Sequence, residues 1–449
     1  MSAEMQRLRQ GPVLATLVKL AVPNVMAMVL TVLVGIAETY YIGRLGTTPL
    51  AAMALVFPFA MLTQMMSAGA MGGGVSSAVS RALGAGDRER ATALARHAVV
   101  IGGVAGLVYS AVFLVGGATV YGWLGGRGEV LAEASRYSAV LFSGALMVWL
   151  SNTLASVLRG TGNMRVPSIT IVLSSLLQIA LGGLLGLGAG PVPSFGMVGV
   201  AVGHIVATSA MVGVLLWFLG SGRARVHLRW RAPPLRAELL TDILRVGALS
   251  CTSPVMSVLT VLIFTGLIAH VGVLPLAGYA IGQRLEFLLV PIAFGIGVAS
   301  VPMVGMSIGA GNVPRARRVA WTAGLLSAFN LALIGAAVAL WPDLWAGLFT
   351  SDAAVLDHAR QYLRTVGPAF PLFGLGLTLY FASQGSGRVL GPVLAGALRL
   401  LLVAVVGGWL AARNASPAAY FVLVAGAMAA YGLSTALAVR LTPWKAPSA

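Results

Sequence analysis

Asn24, Thr31 and Glu38 stand seven residues apart in a run that is otherwise Val, Met, Ala, Leu, Ile and one Gly between 25 and 37. On a helix, residues at that spacing drift only about 20° per step, so the three form one polar stripe. Lipid offers a polar group nothing to bond, so the stripe must turn toward a water-filled cavity or partner helices, and an intramembrane acid is a functional candidate by default. An exposed Glu titrates near 4.3, so a proton carrier at neutral pH must sit where the charged form is penalised. Asn24, Thr31 and Tyr41 are the expected cavity residues, and Pro23, which lacks a backbone donor, is the expected hinge. The competing reading makes Glu38 a helix-end residue snorkelling to the interface, since Arg44 and the turn-like Gly43–Pro49 follow it.

Other embedded titratable residues are few. His204 follows Gly196, Gly199 and Gly203, which read as small-residue helix contacts. It is either a structural histidine bonded to a carbonyl or, beside Glu38, half of a coupled titrating pair. Arg284 and Glu286 lie in one span and Arg399 in another; residues two apart point about 200° from each other, so Arg284 and Glu286 each need a partner elsewhere. A structural lock between Glu286 and Arg399 is the first reading, and a second proton or substrate site is the other. His97 and His270 read as solvated or interfacial, and Cys251 as a small packing residue. One cysteine leaves no disulfide framework and no thiol cluster for a metal.

These residues must be held by membrane helices. Hydrophobic residues make up 58% of the 449 and charged ones 9%, with mean hydropathy +0.92. No water-soluble globule has that composition, so the chain is an all-α, multi-pass membrane protein. The net charge of +17 does not imply nucleic acid, because the arginines sit in short loops between apolar runs, as topology signals do. Only two lysines occur, Lys19 and Lys445, neither in a P-loop context, so ATP is not the direct energy source. Gly305–Gly309 matches the nucleophile-elbow string but ends an apolar helical run instead of following a strand, so it reads as chance and the chain as no enzyme.

Segments of spanning length fall at 16–42, 50–72, 97–119, 137–158, 166–188, 197–219, 244–269, 276–302, 320–340, 366–384, 393–411 and 419–440. The first continues past Pro23 to Glu38, too long for a signal-peptide core, and reads as a retained span. Alternate loops, counted from the N-terminus, hold 21 of the Lys and Arg residues against six on the other side, which places both termini in the cytoplasm.

The chain also repeats itself. Leu83-Gly84-Ala85-Gly86-Asp87 with Arg90-Ala91 returns as Ile308-Gly309-Ala310-Gly311-Asn312 with Arg315-Ala316, and Arg159-Gly160-Thr161-Gly162 as Gln384-Gly385-Ser386-Gly387, both at a shift of 225. Pro49-Leu50-Ala51 returns as Pro275-Leu276-Ala277 at 226. Six spans per copy insert with the same orientation, related by an axis along the membrane normal. The expected plan is a six-helix lobe at 1–220, a cytoplasmic connector at 221–240 with Pro233-Pro234, and a second lobe at 241–449.

Pro23, the acid fifteen residues on, Gly43-Arg44-Leu45-Gly46, Ser80–Asp87, Leu158–Gly162 and Val304–Ala316 resemble the multidrug and toxic compound extrusion transporters over nearly the whole chain, in their DinF-like branch. The resemblance implies cation-coupled efflux of drug-like compounds by alternating access. Aligned by eye, the branch's cation site of Asp, Asn, Asp and Thr becomes Glu38, Gln178, Gly182 and His204 here, so one of its two acids is missing. Sodium prefers several oxygens, as hard cations do, and imidazole is a poor substitute, so protons are the expected coupling ion and no cofactor is implied. The expected function is proton-coupled antiport of small cationic or amphipathic compounds by a monomer in the cell inner membrane. Sodium-coupled antiport and a lipid-linked-intermediate flippase, which would want a more basic cavity, are the alternatives.

Overall fold

A computed structural model describes residues 3–188, 190–228 and 234–445; Arg229, Arg231 and Pro233 of the expected connector lie outside the described residues. Every regular element among those described is a helix, as hydrocarbon requires of a chain that must satisfy its own backbone groups. In order they are α1 (Ala3–Gln10), α2 (Val13–Leu45), α3 (Thr47–Gln64), a π-helix (Met65–Met71), α4 (Gly72–Gly84), α5 (Arg88–Trp123), α6 (Gly128–Ser143), α7 (Ala145–Gly160), α8 (Arg165–Leu187) and α9 (Gly196–Gly220). There follow α10 (Ala237–Val271), α11 (Val273–Gly309), α12 (Val313–Leu340), α13 (Asp343–Ala346), α14 (Ala353–Val366), a 3₁₀ turn (Gly367–Ala369), α15 (Phe370–Ser386), α16 (Leu390–Ala412) and α17 (Pro417–Leu441). Among the described residues eleven helical stretches are long and apolar enough to span a membrane, and twelve with the α6–α7 pair, which is bent by 41°. The expected span at 137–158 falls on that bent pair.

The chain forms two compact units, 26–247 and 1–25 with 248–449. Their limits therefore fall inside α2 and α10 and not in the connector at 221–240. Polar clamps account for this. In the first unit Arg81 meets Asp242 at 2.7 Å, while Arg90 reaches Glu238 at 2.9 Å and Asp242 at 3.3 Å, fastening the start of α10. In the second, Arg315 donates to the carbonyls of Leu8 and Gly11 at 3.2 and 2.8 Å, and Asn24 donates to the carbonyl of Gly295 at 3.2 Å. Arg90 and Arg315 are repeat partners, so each copy's loop arginine grips the segment that leads into the other copy's first span.

The repeated loops are built alike. Asp87 caps α5 by accepting from the Arg90 amide at 2.8 Å, and Asn312 caps α12 by accepting from Arg315 at 3.0 Å. Gly86 and Gly311 take φ of 86° and 76°, the left-handed region that favours glycine. One difference is informative. The shift is 226 at Pro49–Ala51 and 225 by Gly84, so the first copy holds one residue more in between. A π-turn is how a helix absorbs one extra residue, and the π-helix at Met65–Met71 lies in that interval, where α11 of the second unit runs on as a continuous α-helix.

Each unit has its own core. Ile42, Val56, Phe113, Tyr121 and Phe142 anchor the first, and Phe264, Tyr279, Leu285, Tyr362 and Phe421 the second. α8 and α9 approach closely at Gly203, where a Cβ would stand 2.8 Å from the Gly182 nitrogen.

Candidate functional site: an acid-bearing cavity in the first unit

A cavity of about 210 Å³ opens within the unit 26–247. α2 supplies Thr31 and Glu38, α8 Gln178, and α9 His204 and Thr208. Gln178 Nε2 donates to Glu38 Oε1 at 2.7 Å. An amide N–H satisfies a carboxylate and equally the carbonyl oxygen of a protonated acid, so this bond holds Glu38 in place in either protonation state. The Thr31 hydroxyl is spent on the Ala27 carbonyl one turn back at 3.1 Å, leaving its oxygen an acceptor toward the cavity. Glu38 is the only carboxylate among the lining residues, which include no Lys or Arg. Met28, Met53, Met61 and Met211 form much of the apolar wall. Methionine is flexible and polarisable, which suits a wall that must accept more than one shape.

The structure thus brings Glu38, Gln178, His204 and Thr31 to one place, and takes two expected residues away. Tyr41 does not line the cavity; its hydroxyl donates to the Ile179 carbonyl at 3.2 Å and its ring packs on Gly183. Asn24 is fully buried against Gly295 in the second unit, because α2 passes from one unit to the other between Val25 and Met26. The polar stripe of α2 therefore serves two units, and only its C-terminal part faces the cavity. Pro23 sits inside α2, which runs unbroken from Val13 to Leu45.

The expected Glu286–Arg399 lock is replaced by a different one. Glu286 accepts from the Tyr362 hydroxyl, and no ion pair between Glu286 and Arg399 occurs among the described residues. Arg399 lies over the ring of Phe373 at 5.4 Å and Arg284 over that of Phe349 at 5.1 Å. His97 is buried, not solvated: its Nδ1 bonds the Ala93 carbonyl at 2.7 Å and its Nε2 accepts from the Arg236 amide at 2.8 Å. His270 is exposed, as expected. Ser307 of the elbow-like string is buried in α11 and donates to the Met303 carbonyl.

Sequence reasoning missed Gln64 and Asn152, which also line the cavity. Asn152 Nδ2 donates to Gln64 Oε1 at 3.1 Å and to Ser67 Oγ at 2.8 Å, tying α7 to the junction of α3 and the π-helix. Both are amides in otherwise apolar spans, a signal that was there to be read.

The chain is 27% identical to a probable multidrug resistance protein NorM of Thermotoga maritima over 379 residues, covering 84% of this chain and 81% of that protein. It is 27% identical to the multidrug export protein MepA of Staphylococcus aureus over 397 residues, covering 87% and 86%. An FAD transporter of Shewanella oneidensis is 22% identical over 399 residues, covering 88% and 87%. Among solved structures, a MOP superfamily transporter from Pyrococcus furiosus, described as having a binding pocket of reverse polarity, superposes with a TM-score of 0.90 at 23% identity, over 98% of each chain. A multidrug resistance MATE transporter in an outward-facing conformation gives 0.87 at 24% identity, over 97% of this chain and 96% of that one. The MatE family model matches residues 23–184 and 250–410, once in each half of the repeat, and on that match over more than half its length this all-helical, multi-pass chain belongs to the MatE family of membrane transporters.

Proposed function

We propose that this protein exports small cationic or amphipathic compounds in exchange for protons, by alternating access, with Glu38 as the proton carrier. The observation that carries the proposal is the placement of Glu38 as the sole carboxylate lining the cavity, held by Gln178 at 2.7 Å beside Thr31 and His204. A cation entering there meets one negative charge and a pliable wall. A proton on Glu38 removes that charge, so cation and proton compete for one carboxylate. Since a ligand shifts an equilibrium only by its differential affinity for the two states, the protonated and the substrate-bound forms must prefer different conformations. Drug-sized ligands occupy pockets of roughly 300–1,000 Å³, so the cavity must widen to take one, and a bend of α2 at Pro23 is the movement proposed. The arginine bias between alternate loops supports cytoplasmic termini. The chain is proposed to work as a monomer, without a cofactor.

The names of the NorM and MepA relatives support a multidrug cargo. A lipid-linked or FAD-like cargo is anionic and would need cations in the lining, where none stands; Arg284 and Arg399 belong to the second unit. Sodium coupling would need more oxygen ligands than one carboxylate and neutral amides readily give. In proteoliposomes with an imposed pH gradient, ethidium should move with the wild type and with Glu38→Asp, and fail to move with Glu38→Gln. Transport by Glu38→Gln at the wild-type rate would place the carrier elsewhere.

A further inference from the structure

A second, larger cavity of about 640 Å³ lies in the same unit, away from Glu38, between the start of α5 and the described parts of the connector. Arg88, Arg90 and Arg96 come from α5, and Arg225, His227 and Arg236 from the connector. Two carboxylates, Asp87 and Glu89, share the lining, and Asp87 is already engaged in capping α5. Arg90 is likewise committed, to Glu238 and Asp242, and Arg225 gives one N–H to the Thr161 carbonyl at 2.7 Å. Among the described residues no hydrogen-bond partner falls to the side chains of Arg88 and Arg236, both exposed, on the α5 side and the α10 side of the cavity. Buried His97 holds the Arg236 backbone at 2.8 Å and so fixes one wall. Its Nε2 is an acceptor there, so it is neutral and adds no charge of its own.

An exporter of cations has no use for a cationic pocket in its transport path, and this one lies in loops that the arginine bias assigns to the cytoplasmic face. We propose that the cavity binds a phosphate group, the headgroup of an anionic phospholipid or a soluble phosphate ester. Arginine presents a fork of N–H donors that matches phosphate oxygens, and basic pockets at the cytoplasmic ends of membrane helices are suited to anionic headgroups. The occupant would bridge α5 and the start of α10, the elements already fastened by Arg90, so binding should also stabilise the protein.

The test uses full-length protein in detergent, with bound lipid read by native mass spectrometry and melting temperature by fluorescence. The probes are phosphatidylglycerol, phosphatidylcholine, inorganic phosphate and ATP. Wild type should retain phosphatidylglycerol over phosphatidylcholine, and Arg88→Gln with Arg236→Gln together should weaken retention about twenty-five-fold, each lost arginine costing about fivefold. The charge-matched control, Arg318→Gln with Arg388→Gln, should leave it unchanged. If inorganic phosphate or ATP competes and raises the melting temperature of wild type but not of the double variant, the occupant is a soluble phosphate ester; if neither competes, it is a lipid headgroup. Equal retention by wild type and the Arg88/Arg236 variant, or equal loss in the control, overturns the proposal in favour of general surface attraction.

Discussion

Each unit carries one partly buried acid within its apolar helices, Glu38 in the first and Glu286 in the second, and they treat it in opposite ways. In the first, Glu38 stands on α2 and faces a cavity. Its repeat position in the second unit, at the shift of 226, is Phe264, buried in the core against the Tyr279 ring at 5.0 Å. The acid of the second unit, Glu286, corresponds in turn to Ala60, a small residue in the first cavity's wall. Tyr137 and Tyr362 are partners at 225: the first lines the cavity that holds Glu38, while the second bonds Glu286 directly, its own side chain fully buried. One fold, used twice, leaves an acid facing a cavity where an alanine stands in the wall. It ties the acid to a tyrosine hydroxyl where a phenylalanine takes the other position and packs into the core. The lesson is that an intramembrane carboxylate is not a site by virtue of its charge alone; what fills the volume beside it decides.

The substitution with the largest expected effect sets the two acids side by side. Glu38→Gln should reduce pH-driven ethidium export to background, and Glu286→Gln should leave the rate within about twofold of wild type, since neutral amides differ little from a locked acid when no proton is exchanged. Equal losses would erase the distinction between the units. The π-helix sharpens it in a second way. Deleting Ala68 should convert that stretch to the α-helix its repeat partner already has, with the flanks keeping their faces because the π-turn absorbs its extra residue, and should pull Ser67, inside the stretch, off Asn152. Export should fall roughly ten- to a hundredfold, the scale of effect that misplacement by an ångström produces, in a protein that still reaches the membrane; a deletion variant that transports normally would leave the π-helix without a role.

Smaller effects test the lock itself. Tyr362→Phe removes the donor to Glu286 and should cost about 1–2 kcal/mol of stability, seen as a lower melting temperature in detergent with transport rate unchanged. A transport defect without destabilisation would mean that Glu286 works as a second carrier. Least of all, outside the membrane spans, Arg360 holds exposed Asp343 by bonds of 2.7 and 3.2 Å, and the hydrogen bond and charge of that guanidinium keep the Asp343 carboxyl below its usual value. A depressed carboxyl stabilises above its ordinary range and loses that contribution as pH falls through the lowered value. Arg360→Ala should therefore shift the melting temperature by about 1 °C or less at neutral pH, and the difference should vanish in acid. A difference that grew in acid would contradict the pairing.

Much of this was legible in the sequence, for reasons that can be named. Twelve spans follow from runs of apolar residues as long as a bilayer is thick. Glu38, Gln178 and His204 were found because polar residues in such runs stand out and their spacing matches a family pattern. Tyr41 was misplaced because a residue three on from Glu38 lies near the same helix face, and nothing in the sequence of α2 shows that its hydroxyl is taken by the Ile179 carbonyl of α8. Asn24 was misplaced because nothing in the sequence of α2 marks where it leaves one unit for the other; that depends on Gly295, 271 residues away. The Glu286–Tyr362 bond was hidden likewise, since pairing opposite charges by sign neglects a neutral hydroxyl brought close by the packing of α14 on α11. The shift from 226 to 225 was visible in the sequence, but that a π-helix absorbs it was not.

The most direct test of the account is to count protons. Purified protein in lightly buffered detergent, given saturating ethidium near neutral pH, should release about one proton per bound cation from wild type and from Glu286→Gln. Glu38→Gln should release none while remaining folded. Release of a full proton by Glu38→Gln, or its loss in Glu286→Gln, would contradict the assignment of Glu38 as the carrier.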